Sequence, residues 1–149
     1  LVDDLDQALS GPEPAPRVLA LYDLDGFKLY NDTFGHPAGD AMLSRMGEQL
    51  RDAVEPKGIG YRSGGDEFVV LIEGEGDRDR VAKRAAEALT ARGTDYDLGA
   101  AWGLVSVPEE AETPAAAMQL ADVRMYAQKE SRRLAEPSAL GREALQQGH

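Results

Sequence analysis

The chain of 149 residues contains no cysteine. Disulfides, thiolate metal sites and a cysteine nucleophile are therefore excluded, and a reducing compartment is consistent with that usage. Positive charge is in deficit: 16 Lys and Arg stand against 27 Asp and Glu, a net charge of −11. A protein that coats phosphate backbones needs the opposite balance, so no nucleic-acid partner is expected. No apolar stretch approaches the roughly 20 residues of a transmembrane helix. There is no signal-peptide pattern and no internal repeat. The chain opens on Leu1, not Met, and is expected to be a piece of a longer protein. The expected location is the cytoplasm, alone or as the cytoplasmic part of a larger, membrane-anchored protein.

Apolar residues make up 42% of the chain and charged residues 29%, which is the balance of one globular domain with a single core. Two segments look peripheral. "SGPEPAP" (10–16) reads as a linker after a short N-terminal helix, and "AEPSALGREALQQGH" (135–149) as a tail. Between them strand and helix patterns alternate. "RVLALYDLDGF" begins as a buried strand. "AGDAMLSRMGEQLRDAV" spaces Leu43, Met46, Leu50 and Val54 as an amphipathic helix. "GIGYR" and "EFVVLIEG" predict a β-hairpin, with its glycines supplying positive φ. "DRDRVAKRAAEALTAR" predicts a helix closed by Gly93, and "YDLGAAWGLVSV" another strand. "TPAAAMQLADVRMYAQKESRR" predicts a helix with Thr113 as N-cap and Pro114 at its first position. The order is β-α-β-β-α-β-α. It predicts an α+β fold, an antiparallel sheet with helices on one face and ferredoxin-like βαββαβ connectivity.

Candidate chemistry sits at strand ends. Asp23 and Asp25 share a face if the first strand runs through them. A solvated acidic turn explains them, and so does a site for a hard cation with oxygen ligands. Gly64-Gly65-Asp66-Glu67 at the hairpin tip weights the second account. Glycines admit a close ligand, and two carboxylates brought together repel until a cation relieves them. Lys129 and Arg133 lie four residues apart on the last helix, which describes either a solvated basic face or a pair of phosphate contacts.

Three blocks resemble the GGDEF, or diguanylate cyclase, family. "GGDEF" (64–68), preceded by Arg62, matches its signature. "DLDGFKLYNDTFGHPAGDAML" (23–43) resembles the pattern D-x-D-x-F-K-x-x-N-D-x-x-G-H-x-x-G-D-x-x-L. "LADVRMYAQKESRR" (120–133) resembles the late helix A-D-x-A-L-Y-x-A-K-x-x-G-R. "LVDDLDQAL" looks like the helix after the family's start motif, which would lie just before Leu1. The resemblance implies a nucleotidyl-cyclase-like palm over residues 1–134, its central sheet surrounded by helices. It also implies condensation of two GTP into cyclic di-GMP with release of two pyrophosphates. The cofactor would be Mg²⁺ or Mn²⁺, the partner a second copy in an antiparallel homodimer, and the signal a linked sensory or regulatory domain outside the chain.

The same resemblance implies residue roles. Asp23, the Leu24 carbonyl and Asp66 would hold metal. Asp66, Glu67 and Lys129 would be catalytic, with Asp66 helping to activate the 3′-hydroxyl. Gly64 and Gly65 would admit the nucleotide. Phe27 and Lys28 would open a helix whose amides face the phosphates. Asn31 and Asp40 would read guanine, since a carboxylate accepts from N1–H and N2–H₂ and adenine offers no such pair. Lys129 and Arg133 would reach the β- and γ-phosphates. His36 is either a base or a brace for the loop bearing Asp40. A non-catalytic receptor for GTP or cyclic di-GMP is the alternative, and a palm domain with another product a third reading.

The chain departs from the pattern at four points. Gly26 stands for a larger residue and is expected to loosen the metal loop. Trp102 stands for a small aliphatic, and Arg132 replaces glycine before Arg133, so the end of the helix is expected to differ. "EPKG" (55–58) replaces the R-x-x-D of the family's product-inhibition site. Turnover is therefore expected to be insensitive to added cyclic di-GMP through that surface. Strong noncompetitive inhibition mapped there would overturn this expectation.

Overall fold

The computed structural model describes residues 16–74, 76 and 78–135. The expected N-terminal helix, most of the linker and the tail after Ala135 lie outside them. Along the chain run β1 (Arg17–Asp25), α1 (Phe27–Phe34), α2 (His36–Val54), β2 (Gly58–Arg62), β3 (Glu67–Glu73), α3 (Arg78–Ala88), β4 (Ala91–Arg92), β5 (Asp97–Val107) and α4 (Pro114–Ala135). The strands form one antiparallel sheet in the order β2-β3-β1-β5-β4.

β1 is the middle strand, and its apolar run is continuous because both of its faces are covered. Val18, Ala20, Tyr22 and Leu24 pack with Met42, Leu43, Met46 and Leu50 of α2 and with Val81 and Ala85 of α3. Leu19 and Leu21 pack on the opposite face with Ala117, Ala121 and Met125 of α4. Helices thus cover both faces of the sheet, not the single face that the element order suggested. The reason lies in β1, β3 and β5, which alternate two apolar sets and leave no polar face for solvent.

Local signals account for most helix ends. The Ala116 amide donates to Thr113 Oγ1 at 3.1 Å, the expected cap of α4. α4 does not stop where Arg132 replaces glycine; it continues to Ala135. α3, expected to run through Arg92, ends at Ala88. Thr90 Oγ1 donates back to the Ala86 carbonyl at 2.9 Å, and Ala91 and Arg92 instead pair with Leu98 and Asp97.

The Tyr22 ring is fully buried, and its hydroxyl donates to the Ala82 carbonyl at 2.6 Å, tying β1 to α3. Burial pushes this phenol well above its ordinary pKa, so it stays a donor. Tyr22→Phe keeps the packing and removes the bond. The expected cost is about 1 kcal/mol, or roughly 4 °C in Tm, read by thermal unfolding. An unchanged Tm would show that the bond contributes nothing.

Candidate active site

β1 is a regular strand to its last residue, so Asp23 and Asp25 do share the α4 face. β3 delivers the signature acids beside them. Asp23 lies opposite Glu67 in the β1–β3 register, and the Leu24 amide donates to the Asp66 carbonyl at 3.1 Å. The Asp66 carboxyl thereby comes close enough to Asp23 for the two negative charges to oppose each other. α4 supplies the compensating charge: Lys129 Nζ donates to Asp23 Oδ2 and lies 3.8 Å from Asp25 Oδ1.

The electrostatics describe a site with surplus negative charge. Burial, then the neighbouring Asp23, raises the Asp66 pKa above the ordinary carboxylate value. Burial, then Asp23, Asp122 and Asp66, does the same to Glu67. Asp25 is also raised by burial, with Lys129 opposing. Burial works against the Lys129 ammonium. Its hydrogen bond to Asp23 and the charges of Asp23, Asp25 and Asp66 nonetheless hold its pKa above the ordinary value. One lysine thus serves three carboxylates that cannot all ionise cheaply. Such a donor set fits a divalent cation. Among the described residues no three Asp, Glu or His side chains form a closed cage. A Mg²⁺ ion would not need such a cage, since it takes one or two carboxylates and fills its remaining positions with water and phosphate oxygens.

At the hairpin tip four residues, Ser63 to Asp66, separate the end of β2 from the start of β3, Arg62 pairing with Phe68 and the Ser63 amide donating to the Glu67 carbonyl at 3.1 Å. Arg62 Nε donates to the carbonyls of Gly64 and Gly65 at 3.3 and 3.2 Å, and Ser63 Oγ donates to Glu67 Oε2 at 3.5 Å. Gly64 and Gly65 do not have positive φ, contrary to expectation; the described glycines that do are Gly26, Gly35 and Gly74. A loop of this length turns without left-handed residues. A Cβ on Gly65 would meet nothing within 4 Å, and one on Gly64 only Glu67. Neither the backbone nor the neighbouring atoms demand these glycines, which leaves room on the ligand side as their consequence.

Gly26 does not loosen the metal loop. It sits at φ 86° as the N-cap of α1, and a Cβ there would lie 2.8 Å from the Asp97 carbonyl oxygen. Only glycine fits both demands. No side chain caps α1, so its first amides stay available. Phe27 is buried beneath this turn, and Lys28 is exposed beside it.

Asn31 lies on α1 against the first turn of α2. Its Oδ1 is buried and has no hydrogen-bond partner among the described residues. A Cβ on Gly39 would fall 1.7 Å from that oxygen, so glycine makes its berth. His36 and Asp40 are exposed on the same turn of α2, with no partner among the described residues. One turn further on, a groove of about 280 Å³ opens between α2 and the hairpin, lined by Leu43, Ser44, Arg62 and Phe68 among others. Gly39→Ala is expected to displace Asn31 and, since the same Cβ would lie 3.2 Å from Phe27 Cζ, to cost about 1–2 kcal/mol through overpacking. Thermal unfolding reads it as a lowered Tm, and an unchanged Tm would show that Asn31 and Phe27 yield freely.

The structure brings Asp23, Leu24, Asp66, Glu67 and Lys129 together. It does not bring Arg133 with them: Arg133 is exposed and pairs with Glu130 at 3.2 Å. Asp25, weighed with Asp23 as a cation site in the sequence but given no role by the resemblance, also stands here, as do Arg62 and Arg132, which were given none. Asp25 shares Lys129 with Asp23, a consequence of strand alternation. Arg62 holds the loop carbonyls, which its place ahead of two glycines hints at. Arg132 lies 4.0 Å from Asp25 and 5.2 Å over the Trp102 ring, so two departures from the family pattern meet in space.

The family profile "Diguanylate cyclase, GGDEF domain" matches residues 1–134. The diguanylate cyclase DgcP of Escherichia coli K12 is 37% identical over 119 residues, covering 75% of this chain and 35% of its own length. A sensory box/GGDEF family protein from Caulobacter crescentus CB15 superimposes with a TM-score of 0.72 at 32% identity, covering 88% of each chain. The GGDEF domain of DgcB from Caulobacter crescentus, solved with c-di-GMP, gives 0.70 at 27% identity, covering 87% of this chain and 82% of that one. The chain spans only 15%, 35% and 21% of three curated relatives. No described helix is long and apolar enough to cross a membrane. With its signature acids at the tip of the β2–β3 hairpin and its fold shared with these domains, the chain belongs to the GGDEF family of diguanylate cyclase domains.

Proposed function

We propose that this domain condenses two GTP into cyclic di-GMP, each of two copies holding one nucleotide. The observation that carries the reading is the convergence of Asp66 on Asp23, with Lys129 as their nearest cation. In each half-reaction a 3′-oxygen attacks the α-phosphorus of the partner's GTP. The bond from that phosphorus to the β-phosphate bridge breaks, and pyrophosphate leaves. Asp23, the Leu24 carbonyl and Asp66 would hold Mg²⁺ or Mn²⁺, which supplies charge neutralisation to the triphosphate. Asp66 orients the 3′-hydroxyl and takes up its proton, and Glu67 supports the turn. Lys129 and the amides opening α1 face the phosphates, with Lys28 nearby and Arg133 recruited from the surface. Asn31 and Asp40 read the guanine edge, and His36 braces their turn.

The test is incubation of concentrated domain with GTP and Mg²⁺, followed by identification of the product, beside Asp66→Ala. Cyclic di-GMP from the parent alone supports the reading. GTP binding without product at high concentration would favour a receptor instead. High concentration matters because two half-sites must meet. A sensory domain elsewhere in the full protein would control that encounter, as expected for a domain whose curated relatives are several times its length.

A further inference from the structure

Among the described residues the edge of β5 is open: β4 pairs only with Asp97 and Leu98, and no described strand lies beside the outward backbone groups from Ala100 to Ser106. Such edges invite pairing unless something covers them. Here side chains of α4 do so in regular steps. Arg124 Nη1 donates to the Leu104 carbonyl at 2.7 Å, the Trp102 amide donates to Gln128 Oε1 at 2.7 Å, and Arg132 Nη1 donates to the Ala100 carbonyl at 2.9 Å. The helix residues advance by four while the strand residues retreat by two. Four helical residues rise about 6 Å and two strand residues about 6.8 Å, so the spacings nearly coincide over three rungs. Beyond the first rung, the Ser106 amide donates to Glu110 Oε1, and Glu110 accepts from Arg124 in turn.

These three residues occupy the alanine, alanine and glycine positions of the late-helix pattern that the chain otherwise resembles. Small residues there could not reach the strand. Lys129 directly follows the Gln128 rung and Arg133 the Arg132 rung. The ladder therefore sets how far along the sheet, and at what rotation, the phosphate-facing side of α4 arrives. Arg132 adds a lateral stop by lying over Trp102 and beside Asp25.

We propose that Gln128 and Arg132 are positioning residues, which lock α4 to the open edge of β5 and so hold Lys129 on the Asp23 and Asp25 carboxylates for phosphate binding. The catalytic consequence rests on the cyclase reading above; the placement of Lys129 does not.

The experiment uses the whole chain and the Gln128→Ala/Arg132→Ala double variant, with Arg124→Ala and Arg132→Lys alongside. The first readout is the Lys129 side-chain ammonium resonance in the nucleotide-free protein, assigned with Lys129→Met. Held by Asp23, this ammonium is expected to exchange slowly enough to be seen. The double variant is expected to lose that signal, Arg124→Ala to keep it, and Arg132→Lys to retain it through its own donor. The second readout is GTP kinetics: the double variant should raise KM about tenfold, the scale of two lost hydrogen bonds, with kcat nearly unchanged. A folded double variant with an unchanged Lys129 signal and KM would overturn the proposal. Should the double variant not fold, Gln128→Ala and Arg132→Ala made singly decide by the same signal, each with KM raised about threefold. A parent chain that turns over no GTP refutes the cyclase reading, and the ammonium signal then judges the ladder by itself.

Discussion

Asp66→Asn is expected to abolish most cyclic di-GMP formation and, at the same time, to stabilise the metal-free domain. The activity loss should be about 10²- to 10⁴-fold, the range spanned by a proton acceptor or a positioned charge. The stability gain follows from the site's electrostatics. Burial and Asp23 hold the Asp66 carboxyl above its ordinary pKa. A raised carboxyl binds its proton more tightly in the folded state, so the parent loses stability as pH rises through the carboxylate range. Asparagine does not ionise and escapes that loss. In chelator the variant should melt a few degrees above the parent at neutral pH, with the gap closing near the ordinary carboxylate pKa. A variant that melts lower than the parent at neutral pH would show that Asp66 is a structural residue. The trade fits a site that holds repelling acids ready for a cation at a cost in stability.

Gly103→Ala is expected to be the most destabilising single-methyl change in the described structure. A Cβ on Gly103 would lie 2.2 Å from the Ala121 carbonyl oxygen and 2.6 Å from the Met125 amide nitrogen. Both are backbone atoms in the middle of α4, and no rotamer relieves them. The helix must move off the sheet, opening its contacts at Ala117, Ala121 and Met125. The cost should be about 3 kcal/mol, or roughly 10 °C in Tm. Because α4 carries Lys129, GTP binding should weaken with it. Gly99→Ala on the same strand is the control, since a Cβ there meets nothing within 4 Å. Equal Tm losses for the two would rule out close approach as the reason for Gly103.

The alternation of β1, the cap at Thr113 and the spacing of the α2 core were legible because each depends on neighbours in the chain. Asp23 and Asp25 on one face followed from a strand's period of two. The signature block, the Asn31–Asp40 block and the Lys129 helix were legible as a family pattern, which carries tertiary information that local periodicity lacks. The end of α3 was not legible. An Ala-rich run keeps its helical propensity past Ala88, and only pairing with β5 turns Ala91 and Arg92 into a strand. Positive φ at Gly64 and Gly65 was the wrong inference from a correct hairpin, because a four-residue tip needs no left-handed residue.

By itself, then, the sequence determined which residues are acids at strand ends, which helices are amphipathic and which blocks belong to the GGDEF family. Tertiary structure decided the distances between them. It put Asp66 against Asp23 and Lys129 on both β1 acids, and left Arg133 outside. It also turned three long side chains into a ladder on β5. Chain-local preferences fix periods and turns. The partners of a side chain reaching from residue 129 to residue 23 are fixed only when the sheet and helix pack.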